Sequence, residues 1–285
     1  MLNRAVIDEY LGHLGLPEPA EPSVGALFAL HRAHVERVPY ETLDIQLGRP
    51  TTIDPADSIA RILRGRGGYC FHLNGAFGTL LAALGFRTRW HVGGVQDRSP
   101  EAEAGATGDH LVLTVDCEGE RWMVDVGLGD GLYEPLPLRE GEYRQGPFTY
   151  RLTASKAEVG DWRFEHDPQG SLLGMDFLAE PARQADFEAR HRWLSTSPES
   201  PFARAACAIR RDAEGTDALR GCMLVRVDAA GRHRHEITDP GEWYATLADR
   251  FGMPLTELGP AEREALWQQV LAVHQIWKER TAEHA

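Results

Sequence analysis

The sequence predicts an α+β fold built from an N-terminal helical bundle, a central antiparallel β-barrel and a smaller C-terminal α/β portion. Three patterns predict it. Apolar residues recur at helical spacing through residues 1–86, and short strand-like runs separated by Gly, Pro and acidic residues fill 87–190. Strand and helix patterns then mix over 191–285. These three ranges are the predicted domains.

The helices of the predicted bundle are marked by residues that favour helix ends. The first three helices follow Asn3, Ser23 and Asp54, whose side chains are suited to accept hydrogen bonds from the first turn. The fourth helix follows Cys70 and ends at Gly85, because glycine readily takes up the left-handed conformation that ends a helix. The bundle is therefore expected to present Cys70 at or near a helix N-terminus.

Short strands are predicted after the bundle. Five runs of residues show the strand pattern, in which apolar and polar residues alternate or apolar residues cluster. Regularly spaced short strands are typical of an antiparallel sheet or barrel. The runs are residues 87–95, 110–115, 121–126, 148–153 and 161–166. The segment 97–109, rich in Glu, Ala and Gly, is predicted to be a loop.

The last part of the chain is predicted to mix strands and helices. It begins with a turn-rich connector at residues 190–202. Strand-like runs follow at 206–211, 221–228 and 231–239, and helices at about 241–250 and 260–280. The final helix carries an apolar stripe that is expected to dock against the rest of the protein. The stripe consists of Leu266, Val270, Val273 and Trp277.

Composition and charge narrow the classes of function. The chain has 285 residues, of which 42% are hydrophobic and 26% charged, as in ordinary globular proteins. Its formal net charge of −13 argues against a nucleic-acid-binding face, since phosphate contacts need clustered Lys and Arg. No apolar run approaches a membrane span, and no signal segment is recognised. We expect a cytoplasmic protein without nucleic-acid or membrane partners, and the sequence leaves a homodimer open.

The cysteines do not form a metal-binding pattern. No two of them have the C-x-x-C spacing of a zinc site or of a redox dithiol, so no metal is predicted. They are Cys70, Cys117, Cys207 and Cys222. In a cytoplasmic protein they are expected to be reduced.

Cys70 is a candidate nucleophile because of the residues around it. Gly67 and Gly68 permit a tight approach into the first turn of the helix that follows. At a helix N-terminus, unpaired N–H groups and the helix dipole favour the thiolate, which is the nucleophilic form of cysteine. A small buried core residue is the commoner role of a cysteine, and these neighbours leave both roles open.

A cysteine nucleophile needs a base, and the base needs an orienting group. His110 begins a strand after a glycine-containing loop, and Asp125 lies in an apolar strand where an unpartnered carboxylate is costly to bury. The two strands are predicted to pair as a hairpin that sets Asp125 beside His110. Taken singly, His110 also fits a hydrogen-bonded strand residue and Asp125 a turn cap. The order Cys, His, Asp is that of papain-like enzymes.

Several segments resemble the arylamine N-acetyltransferases. The stretch RGGYCFHLNGAF (66–77) is close to the family's R-G-G-Y-C-[FY]-E-x-N signature. The other matching segments are VPYETLDI (38–45), DHLVLTV (109–115), VDVGLGD (124–130), WLSTSPESPF (193–202) and RFGMPLTEL (250–258). Together they cover almost the whole chain, and the combination is highly specific.

The resemblance implies a papain-like cysteine transferase in which Cys70, His110 and Asp125 form a catalytic triad and the C-terminal portion is a lid. The implied reaction moves an acetyl group from acetyl-CoA to a small aromatic amine or hydrazine through an acylated cysteine, in ping-pong order. Acetyl-CoA is then a co-substrate, and no cofactor is bound permanently. By motif position, the residues that would contact the substrates are Tyr40, Tyr69, Asp109, Leu128, Gly129 and Phe202. For each of these, packing in the core or in a turn is an equally open role.

Three residues depart from the family pattern. His72 stands where the family has glutamate, and Tyr40 and Leu128 stand where it has phenylalanines that face the acceptor. These last two leave the choice of acceptor open. His72 is expected to be partly exposed and to have no catalytic role. Glu41 and Arg66 are expected to form an ion pair that holds the cysteine turn.

Three alternatives remain open from the sequence. The nearest is an amide synthase-type acyltransferase of natural-product biosynthesis, which keeps the chemistry but uses a longer acyl thioester. The second is a cysteine hydrolase of the papain or transglutaminase type, which shares the order Cys, His, Asp. The third is a binding or scaffold protein that has lost catalytic activity.

Overall fold

The computed structural model of this protein describes residues 2–99 and 101–282. Its helices lie mainly in the first and last thirds of the chain. They are α1 (Arg4–His13), α2 (Val24–Arg37), α3 (Leu43–Gln46), α4 (Pro55–Leu63), α5 (Cys70–Ala83), α6 (Ala185–Thr196), α7 (Pro201–Arg204), α8 (Pro240–Phe251) and α9 (Pro260–Ala282). None of the helices in the described ranges combines the length and the apolar composition needed to cross a bilayer.

The strands form antiparallel sheets in the middle and in the last third of the chain. They are β1 (Tyr40–Glu41), β2 (Arg87–Asp97), β3 (His110–Cys117), β4 (Glu120–Val124), β5 (Leu136–Pro137), β6 (Gly141–Gln145), β7 (Phe148–Ala154), β8 (Trp162–Glu165), β9 (Leu172–Ala182), β10 (Cys207–Arg211), β11 (Gly215–Arg220), β12 (Met223–Asp228) and β13 (Gly231–Glu236). The larger sheet has the order β5-β4-β3-β2-β9-β8-β7-β6 and forms a nearly closed barrel. The smaller sheet has the order β1-β10-β11-β12-β13. The predicted α+β fold is confirmed.

The helices of the first part begin where the sequence places their caps. The side chain of Asn3 accepts a hydrogen bond from the backbone N–H of Val6 at 2.9 Å. Ser23 and Asp54 cap α2 and α4 in the same way. Each cap satisfies an N–H group that the helix itself leaves without an acceptor. Gly85 follows α5 with a φ of +89°, the left-handed conformation predicted for it.

Helix α5 lies at the centre of the first hydrophobic core. Leu73, Phe77, Leu80 and Leu81 on its predicted apolar face are 0–1% exposed. The helix packs against α4 and against strands β2 and β3. Burying a side chain of this size stabilises a protein by about 1.5–3 kcal/mol. This packing holds the start of α5, and with it Cys70, against the barrel.

A second core joins the smaller sheet to α8 and α9. Trp243 and Phe251 of α8 are fully buried in it, together with Leu266 and Val270 of α9. Trp277, near the end of α9, is 50% exposed. The predicted docking stripe of α9 is therefore confirmed for its first half and wrong for its end.

The prediction of a turn-rich connector at residues 190–202 is wrong for the first half of that segment, which belongs to α6. Phe187 and Leu194 anchor α6 in the core of the bundle. Asp186 and Glu188 lie in its first turn, where acidic side chains interact favourably with the helix dipole. Most other positions of α6 are polar, so apolar residues are too sparse to show helical spacing.

Strand β1 ties the first part of the chain to the smaller sheet. Its two residues pair with β10, Tyr40 opposite Ile209 and Glu41 opposite Ala208. A strand between α2 and α3 therefore shares a sheet with the last third of the chain. The domain boundaries expected after residues 86 and 190 stay predictions.

Candidate active site

Cys70 is the first residue of α5, where the chain turns into the helix. The two glycines before it lie very close to other atoms. A Cβ on Gly67 would lie 1.7 Å from the carbonyl oxygen of Pro39, and a Cβ on Gly68 would lie 2.7 Å from the Cβ of His72. Only glycine fits at these positions, so the turn depends on both residues. It leaves Cys70 4% exposed.

His110 and Asp125 lie side by side, as the predicted hairpin requires. Strands β3 and β4 pair with Leu113 opposite Val124, which brings the start of β3 next to the end of β4. The Nε2 atom of His110 lies 2.7 Å from Oδ2 of Asp125, and both residues are 1% exposed. The prediction that Asp125 lies beside His110 is confirmed. With Nε2 bound to the carboxylate, Nδ1 is the ring nitrogen left to face the cleft.

Asn74 holds the carboxylate from the other side, and sequence reasoning missed it. Its Nδ2 donates to Oδ1 of Asp125 at 2.9 Å, and its Oδ1 accepts from the backbone N–H of Val126 at 2.9 Å. The backbone N–H of Gly127 also donates to Oδ1 of Asp125, at 2.8 Å. Asn74 lies one helical turn after Cys70, so one helix carries both the cysteine and the group that orients the aspartate. An asparagine inside an apolar helix was the available signal.

The charge of His110 is set by its two neighbours. Burial lowers the pKa of the ring, but the Asp125 carboxylate and the Cys70 side chain, which both hydrogen-bond to it, raise the pKa well above its usual value. An imidazolium beside a cysteine sulphur is the arrangement that makes a thiolate available for attack. The Sγ atom of Cys70 also lies 3.5 Å from the carbonyl oxygen of Asp109.

Cys70 and His110 open onto a cleft with a volume of about 270 Å³. The predicted site residues that line it are Tyr40, Cys70, Asp109, His110, Leu128 and Phe202. Asp125 lies behind His110 and does not reach the cleft surface. The cleft therefore joins residues from the bundle, the barrel and the last third of the chain.

Asp109 is held in place by two hydrogen bonds. Its Oδ1 accepts from the backbone N–H of Val95 at 2.9 Å, and its Oδ2 lies 3.4 Å from the guanidinium of Arg190 on α6. Arg190 in turn lies over the ring of Trp193. The side chain of Asp109 is thus engaged at the cleft wall next to His110.

Tyr69 and Gly129 do not line the cleft. Tyr69 is 1% exposed, and its hydroxyl lies 2.5 Å from Nδ1 of His191. Gly129 has a φ of +76° in the turn after Asp125, and a Cβ there would lie 3.1 Å from Ile209. Packing in the core therefore explains Tyr69, and the backbone conformation of the turn explains Gly129. Contacts of either residue with substrate stay predictions.

His72 is buried, and the expectation that it is partly exposed is wrong. It is 2% exposed and lies edge-on to the ring of Tyr69, with 4.4 Å between ring centroids. Neither ring nitrogen has a hydrogen-bond partner among the residues that the structure describes. Burial, helped by the charge of Arg61 and by His191, holds the pKa of His72 well below its usual value. The first turn of α5 faces the interior at this position, which a short motif alone does not reveal.

The expected ion pair under the cysteine turn is confirmed. Arg66 lies 3.0 Å from the carboxylate of Glu41, and Arg61 lies 3.0 Å from the same oxygen. Asp44 is part of the same cluster and pairs with both arginines. Burial raises the pKa of Asp44, but the guanidinium groups of Arg66 and Arg61 outweigh it and leave that pKa below its usual value. The cluster fixes the chain immediately before the glycine pair.

The cleft also has a wall that sequence reasoning missed. Arg190 comes from the segment interpreted as turns, and Arg220 ends β11, a strand outside the predicted runs. The other lining residues outside the prediction include Ser171, Leu172, Leu194, Cys207 and Ile209. Within residues 2–99 and 101–282, no group of three or more His, Cys, Asp or Glu side chains is arranged to hold a metal ion.

Comparison with known sequences agrees with this geometry. A family model described as N-acetyltransferase matches residues 23–258 of the chain. The arylamine N-acetyltransferase of Mycolicibacterium smegmatis is 30% identical over 274 residues, which are 92% of this chain and 97% of that protein. The arylamine N-acetyltransferase / N-hydroxyarylamine O-acetyltransferase of Salmonella typhimurium is 34% identical over 259 residues, 88% of this chain and 90% of that protein.

Solved structures show the same similarity in three dimensions. The Mycobacterium marinum arylamine N-acetyltransferase in complex with CoA superposes with a TM-score of 0.84. The two sequences are 26% identical, and the match covers 94% of this chain and 99% of that one.

Proposed function

This chain belongs to the arylamine N-acetyltransferase family, and we propose that it transfers an acetyl group from acetyl-CoA to a small aromatic amine or hydrazine. The observation that carries the proposal is the contact of Cys70 with His110, whose ring is bound on its other side by Asp125. The CoA complex of the similar Mycobacterium marinum enzyme supports acetyl-CoA as the donor. In this proposal acetyl-CoA is a co-substrate, and no permanently bound cofactor takes part.

In the first half-reaction the sulphur of Cys70 attacks the carbonyl carbon of the thioester, and its proton resides on His110. A new C–S bond forms, and the negative charge moves to the carbonyl oxygen. The backbone N–H of Cys70 is a candidate donor to that oxygen, because the first N–H groups of a helix have no acceptor within the helix. The bond to the CoA sulphur then breaks, and CoA leaves as a thiol with the proton from His110.

In the second half-reaction the amine nitrogen attacks the acetyl carbon on Cys70. A C–N bond forms, His110 takes a proton from the nitrogen, and the C–S bond to Cys70 breaks. The proton that His110 has taken balances the charge on the sulphur, so Cys70 and His110 are restored for the next cycle. Asp125 keeps the ring in position throughout, and Asn74 keeps Asp125 in position. The acceptor contacts proposed by motif position are those of Tyr40, Leu128 and Phe202, which line the cleft.

The intact mass of the protein after incubation with acetyl-CoA alone tests the proposal. We expect one adduct of about 42 Da, the mass of a single acetyl group, which disappears when an aromatic amine is added. The adduct is expected to be absent from Cys70→Ala and present in Cys117→Ala, a matched control whose cysteine lies outside the cleft. An adduct that persists in Cys70→Ala would exclude Cys70 as the acetyl carrier.

The same measurement addresses the alternatives. The relatives reported above are arylamine N-acetyltransferases, so the amide synthase with a longer acyl thioester is not favoured. Acylation of Cys70 by a longer thioester but not by acetyl-CoA would restore that alternative. Rapid turnover of acetyl-CoA without amine would favour a hydrolase, and an unreactive Cys70 would favour a binding protein. The cytoplasmic location and the homodimer stay predictions.

A further inference from the structure

A buried imidazole joins the two ends of the segment that follows β4. His31 of α2 is 0% exposed, and its Nε2 lies 3.2 Å from the carbonyl oxygen of Asp125. Its Nδ1 lies 3.0 Å from the carbonyl oxygen of Tyr133. Within the part of the chain that the structure describes, no other hydrogen bond reaches either oxygen. His31 thus links both ends of residues 125–133 to α2.

The segment 125–133 forms part of the candidate active site. Asp125 binds His110, and Gly127 lines the cleft. A Cβ on Gly127 would lie 2.8 Å from the Cα of Cys70, so the segment passes directly against the residue that carries the nucleophile. Because the contact is this close, a small movement of the segment would change the position of the aspartate and the shape of the cleft together.

His31 has one proton to offer to two acceptors. Burial lowers the pKa of His31 to about 4, outweighing the carboxylates of Asp125 and Glu134, the charged groups that act on the ring and raise its pKa. The ring is therefore neutral at neutral pH and carries an N–H on one nitrogen. The buried charge of Asp125 attracts that proton to Nε2, the nitrogen that faces Asp125. Nε2 then donates to the Asp125 carbonyl.

The Tyr133 end of the segment has anchors that do not involve His31. The backbone N–H of Tyr133 donates to Oε1 of Gln145 at 2.8 Å, and its hydroxyl donates to a carboxylate oxygen of Glu36 at 2.5 Å. At the other end, His31 is the one donor to the Asp125 carbonyl among the described residues. The effect of His31 on the reaction should therefore act through Asp125.

We propose that His31 is a positioning residue for acetyl transfer, which fixes the main chain of Asp125 and thereby the carboxylate that orients His110. The inference rests on the proposed function, since the base that is positioned is the base of that reaction. His31 lies behind the aspartate and does not line the cleft. Asn74 holds the carboxylate of Asp125 from α5, and His31 holds its carbonyl from α2, so two helices fix one residue.

Two amide variants separate the two ends of the segment. In His31→Gln the side-chain N–H reaches about as far as Nε2 and can still donate to Asp125, whereas in His31→Asn it reaches about as far as Nδ1, towards Tyr133. We expect kcat/KM for acetylation of aniline to fall about 10- to 100-fold in His31→Asn and in His31→Leu. His31→Gln should recover most of the wild-type value.

The rate at which iodoacetamide alkylates Cys70, measured against pH, separates positioning from a loss of stability. If Asp125 is displaced, His110 holds its proton less firmly and supports the thiolate less. The rate–pH curves of His31→Asn and His31→Leu should therefore move to higher pH, and the curve of His31→Gln should stay near that of wild type. If His31→Leu fails to fold, the comparison of the two amide variants decides.

The matched control is His34→Leu. His34 lies on the same helix, is as fully buried as His31 and also packs against Phe77, but its hydrogen bond is with the hydroxyl of Tyr10. Its replacement should lower the free energy of unfolding, because a buried hydrogen bond is lost, and should leave the rate–pH curve of Cys70 unchanged.

Three results would overturn the inference. They are a wild-type rate–pH curve in His31→Leu, equal curves for His31→Gln and His31→Asn, and a shift in His34→Leu as large as that in His31→Leu. The alkylation measurement needs no acetyl-CoA. If the curves move as expected but acetyl-CoA never acetylates Cys70, the proposed function fails and the positioning of the base stands. If acetylation occurs and all the curves coincide, the positioning role fails.

Discussion

The side-chain nitrogen of Asn74 lies 2.9 Å from a carboxylate oxygen of Asp125, and Asn74 lies one turn after Cys70 on the same helix. This hydrogen bond links the nucleophile helix to the aspartate that orients His110. Any shift of α5 relative to the β3–β4 hairpin would therefore change the position of the base as well as that of the sulphur.

Replacement of Asn74 by alanine should slow acetyl transfer about 10- to 100-fold, the usual effect of removing a group that orients a reactive residue. The Asp125 oxygen would keep the N–H of Gly127 but lose its side-chain donor. Because a buried acceptor would lose a partner, unfolding free energy should also fall by about 1–3 kcal/mol. A merely structural role predicts an unchanged dependence of kcat/KM on pH, whereas a positioning role predicts a shifted one.

Removal of His110 should make Cys70 a slower nucleophile at neutral pH. A free cysteine is only a few per cent thiolate at pH 7, so alkylation of His110→Ala by iodoacetamide should be about 10-fold slower or more. At alkaline pH the alkylation rates of wild type and His110→Ala should converge. The control is His235→Ala, an exposed histidine on β13. Identical rate–pH curves for wild type and His110→Ala would show that the ring does not act on the sulphur.

The buried His72 should make the protein less stable in mild acid. Its pKa in the folded state is held well below the value of about 6.5 in the unfolded chain, so the unfolded state binds the proton first as pH falls. Stability is then fully present above pH of about 6.5 and decreases below it.

Urea unfolding at a series of pH values below neutrality measures this effect. In His72→Leu the fall in unfolding free energy should be smaller, by up to about 1.4 kcal/mol per pH unit. The same replacement at the exposed His233 controls for the loss of a histidine. If unfolding free energy falls equally steeply with pH in wild type and in His72→Leu, the lowered pKa of His72 is contradicted. Other buried histidines, His31, His34 and His91, are expected to contribute to the remaining slope, because burial lowers their pKa values as well.

Glu41 should be among the most sensitive positions for stability. It is 1% exposed and bound by the guanidinium groups of Arg61 and Arg66. Removing one partner from a buried ion pair typically costs about 3–5 kcal/mol, because the remaining charges lose their compensation. We expect Glu41→Gln to unfold at much lower urea concentration than wild type. Glu18→Gln, which removes one of the two carboxylate partners of Arg4 at the surface, should have a far smaller effect.

The sequence predicted the parts of the site that depend on neighbouring segments. The pairing of His110 with Asp125 follows from two adjacent strands and a short turn, and the position of Cys70 follows from two glycines and a helix. Asn74 was missed because its partner is set by how α5 packs on the hairpin, which the spacing of residues does not encode. Arg220 was missed because β11 is recognised as a strand only through its pairing with β10 and β12.

The difference between local patterns and distant contacts also explains the errors in the predicted fold. Helix α6 has few apolar positions, so its helical period is weak, and tertiary contacts of Phe187 and Leu194 stabilise it instead. Strand β9 contains Gly174 and Pro181 and was missed, although it pairs on both sides with β2 and β8. Both elements are stabilised by neighbours that are distant in sequence.

The backbone N–H of Cys207 donates to the hydroxyl of Thr42, which lies 165 positions earlier in the chain. Beside this contact, β1 and β10 form the side of the cleft that faces the cysteine helix. During synthesis from the N-terminus, Cys70 therefore leaves the ribosome long before the strand that completes its surroundings. A nascent or truncated chain would carry the thiol without its finished pocket, so selective acetylation should arise only in the last stage of folding.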